Sequence, residues 1–191
     1  MGNIMDYIEW RGDLPFTQSE FNDVDNLILA CFSYVNLDGI QEAASQNGIE
    51  LKALTEKFLQ LHTEKELKED KSFIRFAPFM MLEMAKTERF GQCVIRNYVN
   101  EIVAEEAQQF SAVEICLSDG TSYISFRGTD DTIVGWKEDF NLSTGVVPAQ
   151  ERAVEYLRRI AGSLQEMVRV GGHSKGGNLA VYGAVMCKEI H

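Results

Sequence analysis

The sequence predicts an α/β protein, and three observations carry that expectation. The hydrophobic period changes from helical to extended near residue 111. From there a strand, a helix and a second strand follow in the order of a right-handed parallel crossover. In the third, the segment MVRVGGHSKGGNLAVYGAV (167–185), a Ser stands between His and Lys with two glycines on either side, where an apolar run turns helical.

Residues 1–110 read as a helical N-terminal region of the same domain that continues through 111–191. Val24, Leu27, Ile28, Cys31 and Val35 keep the spacing of one helix face, and Asn36 to Gly39 end that helix. Leu51, Leu54, Phe58 and Leu61 mark a second helix, which leads into the charged run TEKELKEDK (63–71), a solvated face or loop. Phe73, Phe76, Phe79, Met80, Met81, Met84 and Phe90 crowd around Pro78. Flexible Met and flat Phe suit either an acyl-chain groove or ordinary core packing, and core packing is the simpler reading.

Two strand-like runs, SAVEICL and TSYISFRG, flank Ser118, Asp119 and Gly120 and read as a β-hairpin. Pro148 opens a helix with Ala153, Leu157, Ile160, Ala161 and Leu164 on one face, and MVRV follows as a short strand.

Composition narrows the function classes. A chain of 191 residues is long enough for one domain with a sizeable core. Its 45% hydrophobic and 25% charged residues exclude a mostly disordered chain. The net charge of −11 repels phosphate backbones, so neither nucleic acid nor anionic membrane is an expected partner. Cys31, Cys93, Cys116 and Cys187 form no C-x-x-C pair, which fits a reducing cytoplasm, and neither a metal nor a cofactor is expected. The N-terminus has no basic run followed by an apolar one, and no stretch has the length of a membrane span.

Gly172, His173, Ser174, Lys175 and Gly176 spell G-x-S-x-G between a strand and a helix. Glycines there permit a turn tight enough to hold the Ser hydroxyl above the sheet edge while other backbone passes close by, the arrangement of a nucleophile elbow. A phosphate cradle is the rival reading, since Gly172 and Gly177 have G-x-x-x-x-G spacing. Asn178 and Leu179 stand where the phosphate-gripping Lys and the metal-binding hydroxyl belong, which disfavours it. A nucleophilic Ser also needs donors for the oxyanion: the N–H of Lys175, and Thr129 just after the strand ending in Gly128.

Together YISFRGT (123–129), GWKEDF (135–140) and GGHSKGGNLA (171–180) resemble the class 3, fungal-type lipases of the α/β-hydrolase fold. More closely, with IMDYIEWRGDL, FNDVDNLILACFSY and MAKTERFG, nearly the whole chain is similar to an uncharacterised bacterial lipase-like family. The resemblance implies an α/β-hydrolase-like fold: a helical N-terminal half, then the hairpin and a βαβ unit ending in the nucleophile elbow. It implies Ser174 as nucleophile, Thr129 and Lys175 as the oxyanion hole, Asp139 as a brace for the Thr129 loop and Trp136 as its packing anchor. Gly172 and Gly176 shape the turn, and His173 is structural. Lys175 stands where lipases commonly have Leu, and a charge beside the nucleophile suits a smaller or more polar acyl substrate.

In α/β-hydrolases an acid and then a His follow the nucleophile. The 17 residues after Ser174 hold only Glu189 and His191, both carried away by the helix that starts there. His62 is the other imidazole, at a charged helix end. The expectation is therefore an N-terminal portion of a longer protein, with an incomplete sheet, a tendency to self-associate through the open edge of MVRV, and no esterase activity alone. The expected function is a serine hydrolase of carboxylic esters or related small acyl compounds. A non-catalytic α/β-hydrolase relative that binds a ligand or partner is the alternative.

Overall fold

A computed structural model of the chain describes residues 2–69, 74–103, 108–129, 145–162 and 167–190. Six helices come first: α1 (Ile4–Arg11), α2 (Asp23–Phe32), α3 (Gln41–Ala44), α4 (Leu51–Leu61), α5 (Glu64–Glu69) and α6 (Ala77–Met84). The strands are β1 (Ile49–Glu50), β2 (Val94–Val103), β3 (Gln108–Cys116), β4 (Ser122–Phe126) and β5 (Val168–Gly172). Helix α7 (Pro148–Ala161) joins β4 to β5, and α8 (Lys175–Met186) follows β5. Asparagines start the first two long helices: Asn3 and Asn22 accept from the amides of the first turn, and Asp6 and Asp25 close each capping box.

The five strands lie in chain order, β1-β2-β3-β4-β5. The first three pairings are antiparallel, and β4 with β5 is parallel. The hairpin read around Ser118–Gly120 is β3–β4, with Ala112 opposite Phe126 and Cys116 opposite Ser122. The crossover is β4–α7–β5, with Ile124 level with Val170.

The expected α/β-hydrolase-like fold is corrected here. A mostly antiparallel mixed sheet with N-terminal helices gives no clear evidence for that fold. A short connection joins β3 to β4, β1 reaches β2 through α4, α5 and α6, and among the described residues the parallel pair β4–β5 is the one joined by a crossover. The helical reading of residues 1–110 also fails at β1 and β2. Strand β2 hides its period because a bulge between Arg96 and Val99 shifts the register against β3, with Asn97 at φ 53°. The kink is held by Asn97 N–H donating to the Ser45 carbonyl (3.1 Å), its side-chain amide donating to Glu114 Oε2 (2.7 Å) and Tyr156 donating to the Asn97 carbonyl (3.0 Å).

Cores form on both sheet faces. On one, Ile28, Phe32, Leu54, Phe58, Met80 and Met84 of the N-terminal helices pack on Val113, Ile115 and Tyr123. On the other, Ala153, Leu157 and Ile160 of α7 and Leu179 and Ala180 of α8 cover Phe110, Ala112, Ile124 and Phe126. Met80, Met81, Met84 and Phe90 are at most 1% exposed, so the Phe/Met cluster is core at these positions.

A buried ion pair ties the first core to the chain's entry. Arg89 is fully buried, and its five N–H donors all have acceptors. Nε and Nη2 reach the Asp25 carboxylate at 2.8 and 2.5 Å, while the rest go to the carbonyls of Leu14, Ser19 and Glu20. Burial pulls the guanidinium pKa down, but the hydrogen bonds and charge of Asp25 outweigh it and hold the pKa above its ordinary value. The Phe16 ring lies 4.0 Å from the guanidinium carbon. Arg89→Met leaves the Asp25 carboxylate buried without its cation. Urea unfolding is expected to show a loss of about 3–5 kcal/mol, and a loss below 1 kcal/mol contradicts the account.

Candidate functional site

Strand β5 runs into His173 and Ser174, and Lys175 opens α8. Ser174 has φ 57° and ψ −126°, one of two non-glycine residues at positive φ among those described. Such a conformation costs on the order of 1–3 kcal/mol and persists only when its surroundings impose it. The imposing contacts are backbone on backbone. A Cβ on Gly172 would stand 2.5 Å from the carbonyl oxygens of Gly176 and Phe126, and one on Gly176 would strike the Phe126 carbonyl. The end of β4 thus fits between β5 and the first turn of α8. Gly176 N–H donates to the His173 carbonyl and Gly177 N–H to the Ser174 carbonyl, both at 3.0 Å, closing the turn.

Gly128 brings the other wall. A Cβ there would meet the Tyr34 hydroxyl and the His173 carbonyl, and would lie 3.2 Å from Ser174 Cβ. Thr129, the next residue, is half-buried. Arg127, one residue earlier, is buried and donates from Nη2 to Asn100 Oδ1 (2.8 Å), fastening this strand end to β2. Ser174 itself is exposed. The structure therefore brings together Ser174, the Lys175 backbone and Gly128, with Gly172 and Gly176 crowding the turn, and Thr129 follows Gly128 in the chain. Trp136 and Asp139 lie outside the described residues.

The Lys175 side chain differs from expectation. It is 4% exposed, and its ammonium donates to the Gln109 carbonyl at the start of β3 (3.0 Å). The charge is thus spent on a strand carbonyl inside the protein, so it no longer argues for a polar substrate. The Lys175 N–H keeps its place at the helix N-terminus, where the dipole favours negative charge.

His62 ends α4, which packs on β1 and β2 at the opposite edge of the sheet from β5, and its ring rests on Phe58 at 4.5 Å. Glu189 is turned toward Arg158 of α7 (3.3 Å), and His191 lies outside the described residues. The His173 ring is exposed, and its Nδ1 lies 3.0 Å from the Tyr34 hydroxyl. Tyr34 was given no role in the sequence reading. The available signal was a Tyr just past an amphipathic helix, whose buried phenol must find a polar partner. Among the described residues, no group of three or more His, Cys, Asp or Glu could hold a metal ion. No helix among them is long and apolar enough to cross a membrane.

The Mbeg1-like family matches residues 84–190, more than half of the chain, and the chain belongs to that family. No curated protein and no solved structure matches it. Mbeg1-like is not a lipase family and no lipase family matches, so the lipase resemblance is corrected. Two of the strings that suggested it, YISFRGT and GGHSKGGNLA, meet at the Ser174 turn, where close backbone approach demands Gly, and a local constraint of that kind can recur without common descent.

Glycine replacements test the geometry. Gly176→Ala drives a methyl into the Phe126 carbonyl and is expected to cost about 1–3 kcal/mol or more in urea unfolding. Gly162 after α7 has open space and φ −67°, so Gly162→Ala is expected to be neutral or stabilising by about 0.4–1 kcal/mol. Equal effects at the two positions contradict the packing described.

Proposed function

We propose that this protein is a serine hydrolase of carboxylic esters or related small acyl compounds, with Ser174 as nucleophile. The observation that carries the reading is the Ser174 backbone: a strained, exposed serine on a strand-to-helix turn, imposed by glycines that admit neighbouring main chain. Strain that packing must sustain points to function rather than to a loop that could relax. In this reading Ser174 Oγ adds to the acyl carbonyl and gives its proton to a base outside the described residues, and the oxyanion is received by the Lys175 N–H and by the N–H or hydroxyl of Thr129. Collapse of the adduct expels the alcohol, which takes up that proton, leaving the acyl group on Ser174.

We place the protein in the cytoplasm. The four cysteines are free, and Cys31, Cys93 and Cys187 are buried. Burial pushes the Cys93 thiol up to about 12 and raises the others, which keeps them as protonated packing groups.

In the full-length protein, an active-site-directed fluorophosphonate is expected to label Ser174, located by peptide mass spectrometry, and to leave Ser174→Ala unlabelled. Labelling of both proteins alike, or of neither, removes the hydrolase reading. For the oxyanion role, Thr129→Val is expected to lower turnover of a short activated ester by about 10²–10³-fold with little change in melting temperature. Full turnover in that variant removes Thr129 from the site.

A further inference from the structure

We infer that Tyr34 is a positioning residue for Ser174, acting through the imidazole of His173. The inference rests on the hydrolase reading and adds a residue which that reading does not assign.

Tyr34 belongs to the N-terminal helical layer, yet its hydroxyl reaches the seam where β4 and β5 end. It contacts His173 Nδ1 at 3.0 Å, with the rings edge to face at 5.9 Å. It also stands where a Cβ on Gly128 would be. His173 directly precedes the nucleophile, and Gly128 directly precedes Thr129. One phenol therefore touches both chain segments that approach the reacting centre.

The phenol is held as firmly as what it holds. Tyr34 is 7% exposed, and turns after α2 fix its backbone: Tyr34 N–H donates to the Cys31 carbonyl (3.2 Å) and Val35 N–H to that of Phe32 (2.9 Å). Helix α2 is hydrogen-bonded to β4 itself, through Ser125 Oγ to the Leu29 carbonyl and Tyr123 to Asn26 Oδ1, both at 2.7 Å. The same strand that supplies Gly128 thus positions the hydroxyl that reaches His173. His173 is exposed on its outer side and precedes a residue at φ 57°. A ring free to turn would let the strained peptide relax, whereas one pinned at Nδ1 opposes that. The Tyr34 hydroxyl either donates to Nδ1 or accepts from an Nδ1–H, and a fixed partner at that nitrogen selects one tautomer over the other.

The test separates the hydroxyl from the ring. Tyr34→Phe keeps the aromatic packing and is expected to lower kcat on a short activated ester about five- to tenfold, the weight of one neutral hydrogen bond, with KM unchanged. In a His173→Ala background the same change is expected to have no further effect, because the two groups act as one unit. Imidazole ¹⁵N shifts are expected to show a single His173 tautomer in the wild type and a mixture in Tyr34→Phe. Wild-type turnover in Tyr34→Phe, an equal loss in both backgrounds, or a tautomer mixture in the wild type each overturns this inference while leaving fluorophosphonate labelling of Ser174 intact. Absence of that labelling in the wild type overturns the hydrolase reading and this inference with it.

Discussion

The constraint on which the site depends is the close approach of main chain to main chain where β4 ends. Gly172, Gly176 and Gly128 lie on three sides of this junction, and each would collide with backbone if it carried a Cβ. Hydrogen bonds of the parallel β4–β5 pair run up to Phe126 opposite Gly172. Beyond that point the two strands separate around the turn: one continues into Gly128 and Thr129, the other into His173 and Ser174. The serine backbone is therefore set by the termination of the sheet and not by its own side chain. A non-glycine residue at φ 57° is tolerated because the glycines on both sides absorb the crowding.

A second constraint sits far along the chain from the turn yet determines what covers it. The Arg89–Asp25 pair gathers the carbonyls of Leu14, Ser19 and Glu20 and the N-terminus of α2 around one guanidinium. A buried ion pair adds little net stability over a well-packed apolar cluster, because both charges must be desolvated. What it adds here is register. Five donors in a planar fork accept one arrangement of the surrounding carbonyls, and that arrangement orients α2. Orientation of α2 is what Asn26 and Leu29 require to meet Tyr123 and Ser125 of β4, and what delivers Tyr34 to the end of that strand.

How much of this was legible in the residues depended on how local its cause was. The hairpin around Ser118–Gly120, the crossover through α7 and the strand-to-helix turn at Ser174 each follow from residues within a few positions of one another, and each was readable. Strand β2 was not, because the bulge at Asn97 breaks its alternation and is held by Ser45, Glu114 and Tyr156, partners spread over the whole chain. The fold class failed for a related reason. A serine turn and one crossover constrain two strands, whereas the order and direction of the other three are decided by hairpin connections and long-range pairing. Tyr34 and Gly128 are 94 positions apart, and no pattern along the chain announces that they touch.

Lys175 shows why identity and position in a motif do not settle what a side chain does. Next to Ser174 in sequence, it suggested a charged mouth for the site. The first turn of a helix, however, points its side chains back toward the preceding layer, and this one passes beneath the turn toward the sheet. Its side chain is buried, and its ammonium ends on the Gln109 carbonyl at the start of β3. A leucine, two bonds shorter and without a donor, could neither reach nor satisfy that strand carbonyl. The lysine therefore extends the grip on Ser174 to a further strand: β4 holds the turn through its glycines, the N-terminal layer through Tyr34, and β3 through Lys175. With its charge directed inward, the polarity of the surface around Ser174 must be set by groups other than Lys175.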